Sequence, residues 1–428
     1  MSVMVVVGGQ WGDEGKGRVI DLLAEKTRIV ARFSGGDNAG HTVINSYGKF
    51  RLHLVPSGIF RPQVTCIIGN GVVVNPAALL EELDNLQKSG VDVSHLVISD
   101  RAHLIMPYHI VLDGLEEERL GKGALGTTRR GIGPAFSDKV ARLGITIGEL
   151  LNKDMFWKRL TSILEFKNTI LTKVYQSSPL SPEEIYEQYC HYGRKLAPFI
   201  RETSSIIREA LLRKESVLLE GAQGALLDPD FGTYPYVTSS SPLAGAATTG
   251  TGISPREINN IIGVFKAYIT RVGSGPMPTE LKDELGDIIR EKGHEYGATT
   301  GRPRRCGWFD AVAGRYSVQL NGCNAIALTH LDVFDGFPSI KICTSYKFGE
   351  KILNQFSSDL SLLENCQAVY EEVPGWQGPI GEIRDFDHLP LEARHYINRL
   401  EALLSCPVSL ISVGPERRQI IRAKPTGL

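Results

Sequence analysis

The chain of 428 residues lacks the cysteine pattern of a disulfide-stapled or zinc-stapled protein. It has seven cysteines, an odd number, scattered between Cys66 and Cys406, and no two of them form a CxxC pair. A disulfide framework needs paired cysteines, and a structural zinc site needs closely spaced ligands. We therefore expect buried free thiols and no zinc.

The chain also lacks an excess of either charge and any long apolar run. Its 47 basic and 48 acidic residues give a net charge of −1, so no chain-wide field attracts nucleic acid or an anionic membrane. No apolar segment is long enough to span a bilayer, and the N-terminus has no charged signal-peptide leader. These absences favour a cytoplasmic protein with neither a membrane nor a nucleic-acid partner.

Short β-branched runs alternate with helical patterns along the chain. The runs lie at residues 3–7, 64–68, 217–219, 261–264, 325–328 and 408–413. Continuous apolar strands separated by helices are typical of a parallel sheet that is covered on both faces. We predict an α/β fold that is P-loop-NTPase-like, with a mainly parallel central sheet flanked by helices.

Helix signals refine this architecture. Asn75 and Pro76 precede an apolar pattern that runs to Lys88, with Gly90 just beyond it, as expected for a capped crossover helix. Residues 181–184 (SPEE) match a capping arrangement within a helical insertion over about 147–214. Because no repeat or linker is evident, we expect a single elaborated domain over 1–428.

Residues 5–18 (VVVGGQWGDEGKGR) are the most informative segment, since a buried-strand pattern leads into a glycine-rich turn. Glycines allow backbone N–H groups to approach phosphate oxygens, and Lys16 adds a positive charge. Five residues separate Gly9 from Gly15, and Gly17 stands where a Walker A loop has its metal-binding hydroxyl. Asp13 can replace that hydroxyl as a ligand of Mg²⁺. The same residues also fit a simple tight turn.

Further polar segments follow other predicted strands. Residues 35–42 bring Asn38 and His41 after the second strand, and His41 can donate a hydrogen bond or a proton. Residues 126–134, together with Arg142, concentrate arginines and hydroxyls that suit a phosphate monoester. Gln223 and Thr238 have groups that can orient a heterocycle. Structural turns and solvated surface charge remain alternatives for each segment.

Two more segments indicate what is bound. Residues 298–305 (ATTGRPRR) form the most basic short run, which suits a dicarboxylate or a phosphate better than nucleic acid in a chain of balanced charge. Asp332 follows the apolar strand at 325–328, and a carboxylate there can accept the ring N–H and the exocyclic NH₂ of guanine. This pattern favours GTP over ATP, and residues 412–415 (SVGP) can close over the same base.

Taken together, these segments resemble the adenylosuccinate synthetase family, whose members join aspartate to inosine monophosphate (IMP) with GTP. The match covers nearly the whole chain. It includes residues 10–17 (QWGDEGKG), 38–42 (NAGHT), 131–134 (GIGP), 220–224 (EGAQG), 232–238 (GTYPYVT) and 297–302 (GATTGR).

The resemblance implies the first committed step from IMP to AMP, through a 6-phosphoryl-IMP intermediate. Asp13 would be the general base and His41 would donate to the transferring phosphoryl group. Asp13 and the backbone carbonyl of Gly40 would bind one Mg²⁺ per subunit, next to the co-substrate GTP. A homodimer is also implied, with Arg142 reaching the site across the interface.

The resemblance further implies three overlapping ligand sets. For GTP they are Gly12, Asp13, Glu14, Gly15, Lys16, Gly17, Arg18, Gly40, His41, Thr42, Arg304, His330, Leu331, Asp332, Ser412, Val413 and Gly414. For IMP they are Asp13, Glu14, Gly15, Lys16, Asn38, Ala39, Gly40, His41, Thr128, Arg142, Gln223, Thr238 and Arg302. For L-aspartate they are Ala298, Thr299, Thr300, Gly301, Arg302, Pro303 and Arg304.

Two residues depart from the family pattern. His330 stands where members usually have a lysine, and imidazole can stack on guanine instead, so we expect GTP use with altered affinity. Pro303 replaces a customary arginine, which affects the flexibility of the aspartate loop. Two other functions stay open: an ATP-dependent, dethiobiotin-synthetase-type ligase with a carboxylate acceptor, and a GTP-regulated binding protein.

Overall fold

A computed structural model of the protein describes residues 3–38, 40–45, 47–297 and 301–423, with the side chain of Lys122 outside this description. Within these ranges the strands are β1 (Val3–Gly8), β2 (Ile29–Arg32), β3 (His41–Asn45), β4 (Gly48–Leu52), β5 (Thr65–Ile68), β6 (Val73–Val74), β7 (Leu96–Ser99), β8 (His103–Leu104), β9 (Ile200–Arg201), β10 (Val217–Glu220), β11 (Ile258–Lys266), β12 (Ile269–Arg271), β13 (Arg305–Gly307), β14 (Phe309–Asp310), β15 (Ala325–Thr329), β16 (Ser339–Phe348), β17 (Lys351–Leu353), β18 (Gln367–Pro374), β19 (Val408–Ser412) and β20 (Ile420–Arg422).

The α-helices of the same ranges are α1 (Lys16–Leu23), α2 (Pro76–Lys88), α3 (Pro107–Leu120), α4 (Ile132–Ala141), α5 (Lys153–Lys173), α6 (Pro182–Leu196), α7 (Ser204–Leu212), α8 (Ala246–Thr251), α9 (Glu284–Gly293), α10 (Ala311–Asn321), α11 (Leu360–Asn365) and α12 (Leu391–Leu404).

A ten-stranded sheet forms the centre of the part that the structure describes. Its order is β20-β19-β15-β11-β1-β10-β2-β5-β7-β9. All neighbours are parallel except β19 and β20, which are antiparallel. This arrangement confirms the predicted α/β fold with a mainly parallel central sheet.

The continuous apolar run of β1 is explained by burial on both faces. Val3, Val5 and Val7 pack into one hydrophobic core, whereas Met4 and Val6 pack into another. Successive side chains of a strand point to opposite faces, so a strand buried on both sides has no position for a polar residue.

The predicted elements are found with small shifts at their ends. Each of the six apolar runs lies in a strand of the central sheet, and the run at 261–264 belongs to the longer β11. The predicted helix after Asn75 is α2, and the Asn75 side chain accepts hydrogen bonds from the backbone N–H groups of Ala77 and Ala78. These predictions are confirmed.

The helical insertion needs one correction. It contains α5, α6 and α7, but β9 interrupts it and pairs with β7 at the edge of the central sheet. Ile200 is buried there, so a two-residue strand covers apolar surface that the helices leave open. A segment this short carries no periodicity that sequence patterns reveal. The single-domain assignment stays a prediction.

The ends of the parallel strands determine where a ligand can bind. The segments that follow β1, β2, β10, β11, β15 and β19 lie at the carboxyl edge of the sheet. Open α/β sheets bind their ligands in the crevice at this edge. The first glycine-rich loop follows β1, near the middle of the sheet, so the fold brings several predicted segments toward it.

The structure shows the state of the thiols and the character of the helices. All seven cysteines are free, and five of them are buried. Burial raises the pKa of Cys306 to about 12 and that of Cys406 to about 11, so both are protonated at neutral pH. Among the described residues, no helix combines the length and the apolar character that crossing a bilayer requires.

Candidate active site

The first glycine-rich loop, residues 9–15 between β1 and α1, folds around the carboxylate of Glu14. Glu14 is fully buried, and its Oε1 accepts the backbone N–H groups of Gln10 (3.0 Å) and Gly12 (2.8 Å). Its Oε2 pairs with Lys16 Nζ at 2.7 Å. Gly15 has a φ of 85° directly before α1, a conformation that glycine adopts without strain. The Glu14 side chain therefore shapes the loop, and a ligand could reach this residue only through its backbone.

Asp13 is the carboxylate of this loop that remains accessible. It has a φ of 60°, and its side chain is 30% exposed. Its Oδ2 lies 2.8 Å from Arg304 Nη2, and Arg304 Nη1 lies 2.6 Å from Glu295 Oε2. Glu295 in turn pairs with the buried Lys266 at 2.5 Å. This chain of ion pairs connects the loop after β1 with the segment 301–304.

His41 lies at the start of β3, with one ring nitrogen bound and the other free. Its Nδ1 is 2.6 Å from Glu220 Oε1, and Glu220 also accepts the backbone N–H (2.9 Å) and the hydroxyl (3.0 Å) of Ser57. His41 Nε2 is buried and has no hydrogen-bond partner. Burial lowers the pKa of His41 against the opposing effect of Glu220. Since Glu220 is held as a carboxylate, the Nδ1 atom carries the proton.

The predicted guanine residues meet at the ends of β15 and β19. Arg18 donates to the Ser412 hydroxyl and to the Gly414 carbonyl oxygen (2.7 Å). Asp332 lies in the 3₁₀ turn Leu331–Phe334, and burial raises its pKa although Arg18 opposes this shift. The Thr329 hydroxyl donates to the Glu14 carbonyl oxygen at 2.6 Å, which ties this end to the first loop.

His330 is uncharged at neutral pH. Its ring lies edge-on to Tyr268, with centroids 6.1 Å apart, and its Nε2 is 3.7 Å from where a Cβ on Gly15 would lie. Burial and the nearby Lys266 cation lower its pKa to about 3. A neutral imidazole therefore occupies the position at which the family pattern has a lysine.

The predicted IMP residues of two other loops are also brought together. Gln223 Nε2 donates to Asn38 Oδ1 at 3.1 Å, and the Ser240 hydroxyl donates to Gln223 Oε1 at 3.3 Å. The Thr238 hydroxyl is buried without a hydrogen-bond partner. Buried polar atoms of folded proteins are normally paired, so the unpaired Thr238 hydroxyl favours a polar ligand.

A second glycine-rich loop, residues 125–131, contacts the segment that follows β2. Arg130 Nη1 donates to the Asp37 carbonyl oxygen (3.0 Å) and to Asp37 Oδ2 (3.2 Å). Thr128 and Arg129 are exposed. Asp37 follows β2 and precedes Asn38, so this contact joins the second loop to the residues around Gln223.

Other predicted residues fall in three groups. Gly17 lies in α1, Thr42 lies on β3 two residues after Gly40, and Val413 directly follows β19. Arg302 and Pro303 are exposed, and Gly301 N–H donates to the Gly297 carbonyl oxygen at 2.8 Å. Predicted residues outside the described ranges are Ala39, Ala298, Thr299 and Thr300.

Arg142 is the predicted residue that lies apart. It is exposed and directly follows α4, whose other end begins after Gly131. A helix of ten residues is about 15 Å long. Within one chain, Arg142 is therefore separated from Thr128 by the length of α4.

Sequence reasoning missed the roles of Glu220, Glu295 and Arg130. Glu220 had a usable signal, because a carboxylate at the end of a buried apolar strand needs a nearby partner. Glu295 and Arg130 had none, since their partners Arg304 and Asp37 are recognisable only once the chain has folded.

The chain is similar to known proteins over nearly its whole length. The model of the adenylosuccinate synthetase family matches residues 5–421. An adenylosuccinate synthetase from Dehalococcoides mccartyi is 58% identical over 421 residues, which cover 98% of this chain and 100% of the relative. One from Halothermothrix orenii is 50% identical over 422 residues, which cover 99% of both chains.

Solved structures give the same result. A fully ligated adenylosuccinate synthetase from Plasmodium falciparum is 38% identical with a TM-score of 0.93, and the match covers 99% of this chain and 100% of that one. The succinoaminodeoxyadenylate synthetase of cyanophage S-2L is 20% identical with a TM-score of 0.62 over 99% and 95% of the two chains, and shares the fold. The chain therefore belongs to the adenylosuccinate synthetase family, and it catalyses the GTP-dependent ligation of L-aspartate to IMP.

Proposed function

We propose that Asp13 and His41 perform the chemistry of this ligation at the mouth of the first loop. The observation that carries the proposal is the buried, unpartnered Nε2 of His41, on a ring whose other nitrogen is fixed by Glu220. A fixed imidazole with one free nitrogen can donate from that nitrogen to a developing negative charge once the nitrogen is protonated. The accessible carboxylate of Asp13 and the Lys16 cation belong to the same loop region.

The reaction proceeds in two steps, phosphoryl transfer to IMP and displacement of phosphate by L-aspartate. Asp13 removes the N1 proton of IMP, and the 6-oxygen then attacks the γ-phosphorus of GTP, so that a P–O bond forms and GDP leaves. The amine of L-aspartate then adds to C6 and loses a proton to solvent, the C6–O bond breaks, and the 6-oxygen departs with its phosphoryl group as inorganic phosphate. Adenylosuccinate, GDP and phosphate are the products.

His41 acts as a cation during phosphoryl transfer. Glu220 accepts the Nδ1 proton, so Nε2 can donate only if the ring binds a second proton. Burial lowers the pKa of His41, whereas the negative charge of a bound triphosphate opposes this effect. We therefore infer that nucleotide binding brings one proton to His41.

Asp13 and the Gly40 carbonyl offer a hard-oxygen donor set that fits Mg²⁺. The carboxylate is partly exposed, and only its Oδ2 takes part in the ion pair with Arg304. When bound, the ion would neutralise charge on the phosphate oxygens. Arg304 would then share the Asp13 carboxylate with the ion or lose its ion pair with Asp13. Metal binding at the proposed base is thereby coupled to the segment proposed to bind L-aspartate.

The residues proposed to bind guanine, IMP and L-aspartate lie in segments near the carboxyl ends of the strands. Asp332 would accept the two guanine donors, with His330 against the ring and residues 412–414 closing the pocket. Asn38, Gln223 and Thr238 would hold the IMP base and ribose. Arg302 and Arg304, with residues 298–301, would bind the carboxylates of L-aspartate.

The site is completed by a second copy of the chain, which supplies Arg142 across a twofold interface. Val140 on the same helix is 81% exposed, and Leu151 and Met155 nearby in sequence are 52% and 49% exposed. Exposed apolar residues beside a predicted cross-subunit arginine suit a dimer surface. We also propose a cytoplasmic location, where seven free thiols stay reduced.

An isotope experiment tests the proposed route. With ¹⁸O on the 6-position of IMP, phosphoryl transfer to that oxygen requires the label to appear in the released phosphate. Mass spectrometry of the phosphate gives the answer. Unlabelled phosphate would contradict a 6-phosphoryl intermediate, and absence of adenylosuccinate with a folded, GTP-binding protein would favour the GTP-regulated binding function.

The guanine assignment is tested with Asp332→Asn. The amide replaces one acceptor with a donor, so the ratio of kcat/KM for GTP over ATP should fall by about 10- to 100-fold. The surface variant Asp335→Asn is not a suitable control, because Asp335 binds Trp376. Asp359→Asn on the distant α11 cap is suitable. An unchanged ratio would mean that guanine is recognised elsewhere.

A further inference from the structure

The second loop, residues 125–131, rests on two buried carboxylates of α3. Glu117 is 7% exposed, and its Oε1 accepts the backbone N–H of Leu125 at 3.1 Å. Its Oε2 accepts the backbone N–H groups of Gly126 (3.0 Å) and Thr127 (3.2 Å). Three consecutive amides thus converge on one carboxylate.

Converging backbone amides form the kind of concavity that binds anions. Here that concavity is already filled by the Glu117 carboxylate. A substrate phosphate therefore cannot use these amides without displacing a buried charge. It must be bound by the side chains that the loop presents.

Asp113, one turn earlier on α3, fixes the same loop at two further points. Its Oδ1 accepts the Thr127 hydroxyl at 2.8 Å, and its Oδ2 accepts the backbone N–H of Gly131 at 2.8 Å. The two carboxylates therefore hold the loop on both sides of residues 128–130. Thr128 lies between the fixed points, with its side chain exposed.

The helix that carries these carboxylates is itself firmly held. His109 Nδ1 accepts the Met106 backbone N–H (3.0 Å), so the neutral ring donates from Nε2 to Asp138 Oδ2 (2.9 Å). Lys167 Nζ from α5 lies 2.5 Å from Asp138 Oδ1. This buried triad joins α3, α4 and α5, and it gives the helical insertion a direct part in supporting the second loop.

We propose that Glu117 and Asp113 are positioning residues that hold the second loop in the shape that binds the phosphate monoester of IMP. The inference rests on the proposed assignment of Thr128 to IMP. The two carboxylates fix the loop on both sides of Thr128. Neither carboxylate touches substrate; each acts through the backbone that it fixes.

The test compares Glu117→Gln with Glu118→Gln. The first variant puts an amide donor against three N–H donors, and we expect KM for IMP to rise at least about 10-fold with kcat nearly unchanged. KM for GTP and L-aspartate should stay within about twofold of wild type. Glu118 is adjacent in sequence and exposed, and among the described side chains it pairs with the exposed Arg129, so its variant should match wild type.

A second readout does not depend on catalysis. Amide hydrogen exchange of the peptide that contains residues 125–127 should be slow in substrate-free wild type and Glu118→Gln, and fast in Glu117→Gln. Saturating IMP should restore protection to the variant. Equal exchange in all three proteins, or an equal rise of all three KM values, would overturn the proposal.

Two further variants distinguish a failure of this inference from a failure of the proposed assignment of Thr128 to IMP. If Glu117→Gln does not fold, Asp113→Asn tests the same loop and should also raise KM for IMP selectively. Thr128→Ala tests the assignment on which the inference rests. If Thr128→Ala leaves KM for IMP unchanged, the proposed IMP assignment fails, while the exchange data still decide whether the carboxylates hold the loop.

Discussion

The two glycine-rich loops of this enzyme are each built around a carboxylate, but the carboxylates differ in origin and in charge balance. Glu14 belongs to the first loop itself and is neutralised by Lys16. Glu117 comes from a neighbouring helix, and the hydrogen bonds described for it all come from backbone amides. Both loops contain left-handed residues, at Gly12, Asp13 and Gly15 in the first and at Gly126, Arg129 and Gly131 in the second.

This difference between the loops indicates that they have different tasks, one in the reaction and one in binding IMP. The first loop lies between β1 and α1 near the middle of the sheet, where a preorganised backbone leaves Asp13 and His41, the proposed catalytic residues, to meet the reacting groups. The second loop lies on the rim and depends on contacts from α3, so its shape can be altered without touching the reaction. Changes in the first loop should therefore affect kcat, and changes in the second should affect KM for IMP.

The largest effect is expected for Asp13→Asn. Asparagine cannot remove the N1 proton, and a general base contributes about 10²- to 10⁴-fold, so kcat should fall at least about 10³-fold. Calorimetry should still detect GTP binding, because the loop backbone is unaffected. A kcat within tenfold of wild type would show that Asp13 is not the general base. It would also weaken the expectation that changes in the first loop affect kcat and changes in the second affect KM for IMP.

Glu220→Gln should give the next largest effect. Without the carboxylate the imidazolium form of His41 loses its partner, so kcat should fall about 10- to 100-fold. Loss of the negative charge lowers the pKa of His41, so the alkaline limb of the kcat–pH profile should move to lower pH. Ser57→Ala is the matched control, because it removes one hydrogen bond to Glu220 and leaves the bond to His41. An unshifted profile would limit Glu220 to a structural role.

A smaller effect is expected for Arg130→Gln. The change breaks the contact between the second loop and Asp37, so KM for IMP should rise about tenfold with kcat nearly unchanged. Glu118→Gln, on α3 outside the loop, removes an exposed pair with Arg129 and should have little effect. A fall of kcat instead of a rise of KM would show that the two loops share one task.

The smallest effect is expected for His109→Gln, beneath the second loop. Burial lowers the pKa of His109 from its ordinary 6.5, so as pH falls below 6.5 the unfolded chain takes up a proton that the folded chain does not. Wild type thus loses stability there, and the glutamine variant does not. The variant should be about 1–3 kcal/mol less stable at pH 8, and the gap should narrow toward pH 5. Urea unfolding at several pH values measures the free energy of unfolding of both proteins. A difference between them that stays the same from pH 8 to pH 5 would contradict the proposed effect of His109.

Much of the first loop was predictable because its information is local. The apolar run of β1, the glycines and Lys16 stand within one short stretch, and strand periodicity with turn chemistry identifies them. The supports of the site were not predictable, since they join distant residues. His41 and Glu220 are 179 positions apart, and Lys167 and Asp138 meet across two helices. Such pairs depend on packing, which a single sequence does not specify.

The ion pair between Arg130 and Asp37 has a thermodynamic consequence. It links the loop predicted to bind the IMP phosphate with the residues just before Asn38, Gly40 and His41. If IMP tightens this link, and the link favours nucleotide binding, then each ligand raises the affinity of the other by the same factor, because the coupling free energy belongs to the pair. The GTP dissociation constant, measured with and without IMP, therefore reports on this one ion pair, and Arg130→Gln should bring the two values together.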